Sequence, residues 1–307
     1  MRTCTFIRRR CSMSGDIQRG VEARYCEAGA DGSVTCTLCP HRCRLTEGRR
    51  GLCRSREVRD GRFVSLAYGR VCALHVDPVE KKPLLHFHPG EMCLSLAAAG
   101  CNLSCRNCQN WSISQVRPEE VESSFIVPGM LPELARRTSC RIVAYTYTEP
   151  LTWMEYTVDC ARTCREAGLL NILVSAGYVN EGPLDDLLPY LDAANIDLKS
   201  FSEDIYRKVS RASLAPVLRT LEKMRDAGVW LEITNLLIPG INDEPGMLRE
   251  MCRWLVDNGF AGAPLHFSRF FPQYRMREVP PTPIGTLRMA EEIARECGIR
   301  YVHLGNV

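Results

Sequence analysis

Cys101, Cys105 and Cys108 fall within eight residues, in Gly100-Cys-Asn-Leu-Ser-Cys-Arg-Asn-Cys-Gln-Asn-Trp111. The spacing C-x3-C-x2-C lets one tight loop aim three thiolates at a common centre. A structural zinc or an ordinary four-iron cluster takes four protein ligands, whereas three thiolates leave one metal position open to a substrate or cofactor. The spacing also differs from the two-cluster ferredoxin run and from C-x-x-C redox motifs. The plainer reading is a zinc knuckle that borrows Cys93 or His88 as its fourth ligand. A second group, Cys36-x2-Cys39-x3-Cys43-x9-Cys53, supplies four thiols, with His41 able to replace one of them. It predicts a bound metal, either zinc in a closed tetrahedral site or an auxiliary iron–sulfur cluster.

The elements that must position these groups follow from hydrophobic patterning. Apolar, strand-like runs are expected at Met92–Ala97, Arg141–Tyr147, Asn171–Ser175, Ala193–Leu198, Trp230–Leu237, Pro264–Ser268 and Arg300–Leu304. Amphipathic helical windows lie between them, at Leu151–Ala167, Leu214–Ala227, Pro245–Asp257 and Thr286–Cys297. This alternation predicts a parallel sheet covered by helices. Each strand ends in polar or glycine-rich chemistry: the cysteine loop, Thr146-Tyr-Thr-Glu-Pro150, Ser175-Ala-Gly-Tyr178, Asp197-Leu-Lys199, Asn235, Ser268-Arg269 and Gly305-Asn306. Polar groups gathered at strand C-termini are the pattern of a (β/α) barrel. The expected fold is therefore α/β, a partial or full TIM-type barrel with a small N-terminal cysteine-rich domain. The expected divisions are a flexible tail at 1–25, a cysteine-rich, metal-binding segment at 26–60, a hairpin and connector at 61–91, and the barrel at 92–307. The hairpin is expected to pair Phe63–Tyr68 with Val71–Val76 through Gly69-Arg70.

Composition narrows the class. The 307 residues are 45% hydrophobic and 24% charged, with a net charge of +3 too small to name a partner. Seventeen cysteines without a secretory signal point to metal or redox chemistry in a cytoplasmic protein rather than to a disulfide framework. The Arg-rich opening reads as a tail, with a targeting leader as the alternative. No run is long enough to span a membrane. No nucleotide-phosphate or serine-hydrolase motif occurs in the strand-end loops. Arginines 42, 44, 49, 50, 54, 56, 59 and 62 raise an RNA-binding or RNA-modifying alternative, weakened by the scarcity of aromatic residues for base stacking.

The three-cysteine loop after the first barrel strand resembles the radical S-adenosylmethionine (SAM) superfamily. Asp77-Pro-Val-Glu-Lys-Lys-Pro-Leu84, His86-Phe-His-Pro-Gly90, Ile196-Asp-Leu-Lys199 and His266-Phe-Ser-Arg-Phe-Phe-Pro272 are similar to one subgroup. That subgroup is the radical SAM protein of the AmmeMemoRadiSam system, which is pyruvate formate-lyase activating enzyme-like. The resemblance implies that Cys101, Cys105 and Cys108 ligate three irons of a [4Fe–4S] cluster, with SAM chelating the fourth. Reductive cleavage of SAM would then give a 5′-deoxyadenosyl radical that abstracts hydrogen from a substrate not readable here. It places Thr148 and Glu149 at the SAM amino group, Asp197 and Lys199 near SAM and substrate, and Ser175, Tyr178 and Asn235 toward its ribose and methionine parts. An ion pair at the barrel rim is the plainer reading of Glu149 and of Asp197/Lys199. Asn107 stands where the family commonly has an aromatic residue near the adenine. An electron donor such as flavodoxin or ferredoxin is implied, as are Memo-like and AMMECR1-like protein partners. Activation of a glycyl-radical enzyme is the alternative activity. The resemblance also implies a short tail with further cysteine pairs, which relatives usually carry past the counterpart of Gly305-Asn-Val307.

Overall fold

The computed structural model describes residues 20–307. Most of the expected tail, residues 1–19, lies outside the described residues. Its last part is not a tail: Val21–Glu22 form strand β1. Three short strands follow, β2 (Cys26–Ala28), β3 (Val34–Cys36) and β4 (Arg44–Leu45), which make a small antiparallel sheet. Then β5 (Arg56–Arg59) and β6 (Arg62–Ser65) pair with each other, and β6 also pairs with β1.

The hairpin therefore forms one strand earlier than expected. Its turn is Asp60-Gly61, where φ is 52° and 69°. Positive φ at both central residues is the type I′ geometry that Asp-Gly favours and that matches strand twist. The run after Gly69 becomes β7 (Arg70–Pro78), which pairs antiparallel with β8 (Met92–Ala98) and with β9 (Ser124–Phe125) instead of with β6.

The main sheet has nine strands. Beyond β7, β8 and β9 it contains β10 (Ile142–Tyr145), β11 (Leu170–Ser175), β12 (Ala193–Asp197), β13 (Trp230–Leu237), β14 (Leu265–Arg269) and β15 (Val302–Gly305). The strands β8 and β10 to β15 are parallel neighbours, and the sheet ends at β15 on one side and β9 on the other. The barrel is partial. Helices at Met154–Glu166, Leu214–Asp226, Pro245–Asp257 and Ile284–Glu296 cover its outside. The helix at Pro245 starts where Pro at the first turn needs no N–H partner, and Glu244 accepts the N–H groups of Gly246 and Met247.

Two hydrophobic layers hold this arrangement. Leu94, Val143, Leu173, Ile196 and Phe267 face outward into the helix layer. Val79, Leu84, Cys93, Ile142, Ala144 and Ile172 form a smaller cluster inside, at the N-terminal end of the barrel. The segment between β7 and β8 is thus a floor rather than a passive connector. Among the described residues no helix is long and apolar enough to cross a membrane.

Candidate active site at the strand C-termini

Residues 100–115 leave β8 and fold into a loop fixed from several sides. Ser104 and Arg106 donate backbone N–H bonds to the carbonyls of Ser210 and Val209, at 2.9 and 3.0 Å. Those acceptors belong to a π-helical turn, Tyr206–Ser210, that closes on Arg211 in the left-handed region. Such turns widen the helix and expose carbonyls that an α-helix would use internally. Arg54 Nη1 reaches the Cys101 carbonyl at 3.3 Å, and Gln115 Nε2 the Leu103 carbonyl at 3.2 Å.

The loop turns Cys101, Cys105 and Cys108 toward one cavity of about 780 Å³ at the C-terminal ends of the parallel strands. The Cys101 sulfur accepts the Leu103 N–H at 3.3 Å, and Cys108 Sγ lies 3.1 Å from Ser114 Oγ. Burial pushes the Cys101 thiol well up, and Glu149 and the neighbouring thiols add to the shift. Burial also raises Cys105, against the pull of the Lys199 ammonium and a Ser210 hydrogen bond. Thiols in this state lose their protons when a metal supplies the compensating charge. Among the described residues no three His, Cys, Asp or Glu side chains are drawn together as a single-ion site. Ligands at the corners of a four-iron cube stand farther apart than the ligands of one ion, and the three free thiols with open space beside them fit that demand.

The same cavity is lined by Thr148, Glu149, Ser175, Asp197 and Lys199. Tyr147, at the end of β10, has φ of 65°, a conformation disfavoured for a bulky residue. Its hydroxyl bonds Asp77 and its ring lies 4.7 Å from Lys82 Nζ, so the turn into Thr148-Glu149 is anchored on the floor. Glu149 is only 2% exposed, and its carboxylate accepts from Ser175 Oγ at 2.7 Å, Ala176 N at 2.8 Å and Leu151 N at 3.2 Å. Burial raises its pKa over the opposing effect of these donors. Glu149 forms no salt bridge with the described residues; its partners there are these three donors. Asp197 and Lys199 do pair, at 2.8 Å. Burial works against the Lys199 charge, but Asp197 and Cys105 outweigh it and hold the amine protonated.

Two expected site residues are elsewhere. Asn235 points to the outer side of β13, where its Nδ2 donates to the Leu198 carbonyl, while Thr234 and Leu236 on the alternate face line the cavity. Tyr178 sits behind the cysteine loop, its hydroxyl 3.2 Å from Ser213 Oγ and its ring edge-on to His41. Cys93 and His88, offered as zinc ligands, do not line the cavity, and Cys93 Sγ instead contacts the Asp77 carbonyl at 3.3 Å. Asn107 does line it.

Sequence reasoning missed His303 and Glu232. His266 Nε2 lies 2.7 Å from Glu232 Oε2, and His303 stacks on His266 and meets His86 at 2.8 Å. The available signal was Glu232 itself, a carboxylate inside an otherwise apolar strand.

The arginines of the N-terminal segment are largely neutralised. Arg42 pairs with Glu27, Arg44 with Asp31, Arg50 with Glu57 and Glu119, Arg56 with buried Glu155, and Arg59 with Glu57.

An uncharacterized protein of Methanocaldococcus jannaschii is 44% identical over 286 residues, covering 93% of this chain and 85% of that protein. A pyruvate formate-lyase-activating enzyme of Clostridium pasteurianum is 23% identical over 158 residues, covering 50% of this chain and 64% of that protein. In fold, the chain resembles Streptococcus suis SuiB bound to S-adenosylmethionine, with a TM-score of 0.51 at 10% identity over 67% of this chain and 47% of that one. The family model described as the Radical SAM superfamily matches residues 96–253, and the chain belongs to that superfamily.

Proposed function

We propose that this chain is a radical SAM enzyme in which Cys101, Cys105 and Cys108 hold a [4Fe–4S] cluster and SAM occupies the open iron. The observation that carries this reading is the convergence of three thiols with Glu149 and the Asp197–Lys199 pair on one cavity. Membership of the superfamily implies the cluster and SAM. The cluster, reduced by one electron from the donor protein, would supply that electron to the sulfonium carbon–sulfur bond of SAM, which would part into methionine and a 5′-deoxyadenosyl radical.

The chain's own residues do the rest. Glu149 offers a preoriented carboxylate to the SAM ammonium, and Ser175 and Ala176 N–H hold that carboxylate in place. Lys199, protonated beside Asp197, places positive charge near Cys105 and favours its thiolate. The polar strand ends bind the cofactor, and the apolar floor keeps water from below.

The electron donor in this proposal is a flavodoxin or ferredoxin, and the setting is the cytoplasm. The AmmeMemoRadiSam resemblance adds Memo-like and AMMECR1-like proteins as partners. A second reading, activation of a glycyl-radical partner, is favoured by the similarity to proteins named activating enzymes and by the Asp197–Lys199 pair. It requires a polypeptide that gains a stable radical signal after anaerobic incubation with this chain and SAM.

Anaerobic iron and sulfide analysis with a SAM-cleavage assay tests the main reading. Wild type is expected to carry about four irons for this site and to release 5′-deoxyadenosine under strong reductant. A Cys101/Cys105/Cys108→Ala variant is expected to lose both. Unchanged iron in the variant, or no 5′-deoxyadenosine from wild type, refutes the proposal.

A further inference from the structure

Cys36, Cys39, Cys43 and Cys53 come from three separate pieces of chain: the end of β3, the turn that follows it, and the loop before β5. They nevertheless surround one small gap of about 10 Å³, room for about one water-sized sphere. Gly51 completes the wall, and a Cβ there would lie 3.5 Å from Cys53 Sγ and 3.8 Å from Cys43 Sγ. All four are free thiols, and Cys36, Cys39 and Cys53 are buried.

Ser55 Oγ donates to Cys53 Sγ at 3.4 Å, and a donor of this kind offsets the charge of a metal-bound sulfur. Arg56, buried and paired with Glu155, also lines this gap.

Asn102 lines the gap and is 3% exposed, and its Oδ1 has no hydrogen-bond partner among the described residues. Its Nδ2 is fixed on the Tyr178 carbonyl at 2.7 Å, so the side chain cannot turn away to solvent. Asn102 is also the residue after Cys101. The two cysteine groups are therefore joined by adjacent residues of one loop. His41 Nε2 bonds the Asn102 carbonyl at 2.8 Å, and a Cβ at Gly100 would lie only 2.5 Å from the Cys53 carbonyl.

We infer that Cys36, Cys39, Cys43 and Cys53 form a closed, thiolate-bound metal centre whose job is to fix the Cys101 loop. The chemistry shared by its two sources is a soft metal held by four cysteine sulfurs, in either one zinc ion or one iron–sulfur cluster. Zinc binding releases the thiol protons to solvent with no change of oxidation state, and a cluster would be transferred preassembled from a carrier protein, exchanging the carrier's thiolates for these four with its oxidation state unchanged. The sulfurs are not drawn into a single-ion group, so zinc would pull them inward, whereas a cluster would occupy and widen the gap. Four protein ligands leave no position for SAM, and the centre is positional rather than catalytic.

The proposed function assigns the other cysteine group, and the experiment separates the two. In the full chain carrying Cys101/Cys105/Cys108→Ala, metal and sulfide are measured after anaerobic purification without an affinity tag. One zinc per chain, or about four irons with matching sulfide, supports the centre and names its metal. Metal at the level of a chain also carrying Cys36→Ser and Cys39→Ser overturns it. Should those variants fail to fold, alkylation of wild type with iodoacetamide decides. Cys43 is half-buried and is expected to react only after denaturation with a chelator; reaction in the native protein overturns the centre.

Positioning has its own readout. In the otherwise wild-type chain, Cys39→Ser is expected to lower retention of the three-cysteine cluster on gel filtration and to change its electron paramagnetic resonance line shape. An unchanged cluster signal overturns the positional role while leaving the metal assignment to the first measurement.

Discussion

At the scale of single residues, Glu149 has two opposing roles. Its carboxylate is buried with three donors and, among the described residues, no paired cation, so ionising it costs folding free energy that a bound ammonium can recover. Burial raises its pKa above the ordinary carboxylate value despite those donors. An acid raised in the folded state contributes stability that is fully present below its unfolded value and lost as pH rises through the folded one. The melting temperature of wild type relative to Glu149→Gln should therefore rise as pH is lowered from about 8 to about 5. SAM affinity of the cluster-loaded protein should fall roughly tenfold to a hundredfold in the same variant, the size of a charge-assisted hydrogen bond. Thermal melts across pH and equilibrium dialysis check the two halves, and a variant with wild-type affinity removes Glu149 from the cofactor. Glu149, Ser175 and the Asp197–Lys199 pair were legible because they end strands whose C-termini share a face. Asn235 was not, because a strand's alternation fixes two faces without saying which is inward, and one residue of parity separates it from Thr234.

At the scale of elements, the parallel strands were legible because each is a continuous apolar run, the consequence of being buried on both faces. The hairpin was misread for a different reason. Gly69 resembles a turn glycine, but Phe125 covers it, with a ring carbon 2.6 Å from where a Cβ would stand. Long-range packing decided that position, while the local Asp60-Gly61 signal decided the other. Gly100 is the clearest case of such packing near the site. Its φ is 101°, and a Cβ would collide with the Cys53 carbonyl, which is rigid backbone. Gly100→Ala is expected to destabilise the chain by about 2 kcal/mol or more, through left-handed strain and the clash. Gly262→Ala, where a Cβ meets nothing within 4 Å, should stay within about 0.5 kcal/mol of wild type. Denaturant unfolding checks both, and equal losses would mean that the two cysteine groups are not packed as described.

At the scale of the whole molecule, the open sheet must be closed from below, and the segment between β7 and β8 does this across the barrel. Asn195 Nδ2 bonds the Pro83 carbonyl at 2.8 Å, Glu232 accepts the N–H groups of Leu85 and His86 at 2.9 and 2.8 Å, and His86 meets His303. The connector before β8 is thus tied to β12, β13 and β15 through one polar network that local sequence could not reveal, since its members are far apart in the chain. The network gives the floor a pH dependence. Burial lowers the His303 pKa, and His266, His86 and Arg295 add to that effect against Glu232. The folded chain binds this proton less readily than the unfolded chain, so the stability is full above the ordinary histidine value of about 6.5 and is lost as pH falls through the folded value. Glu232, lowered by His266 and the two backbone N–H groups despite its burial, loses its contribution in a separate and more acidic window. Wild type should accordingly lose unfolding free energy between about pH 7.5 and about pH 5.5, and His303→Gln should flatten that slope. Protection factors of the Leu85 and His86 amides, taken against the intrinsic exchange rate at each pH, should fall over the same range in wild type, because their acceptor, Glu232, is held in this network. A slope unchanged in His303→Gln would mean that the floor is fastened by its apolar cluster alone, and that the imidazoles serve the cavity rather than the fold.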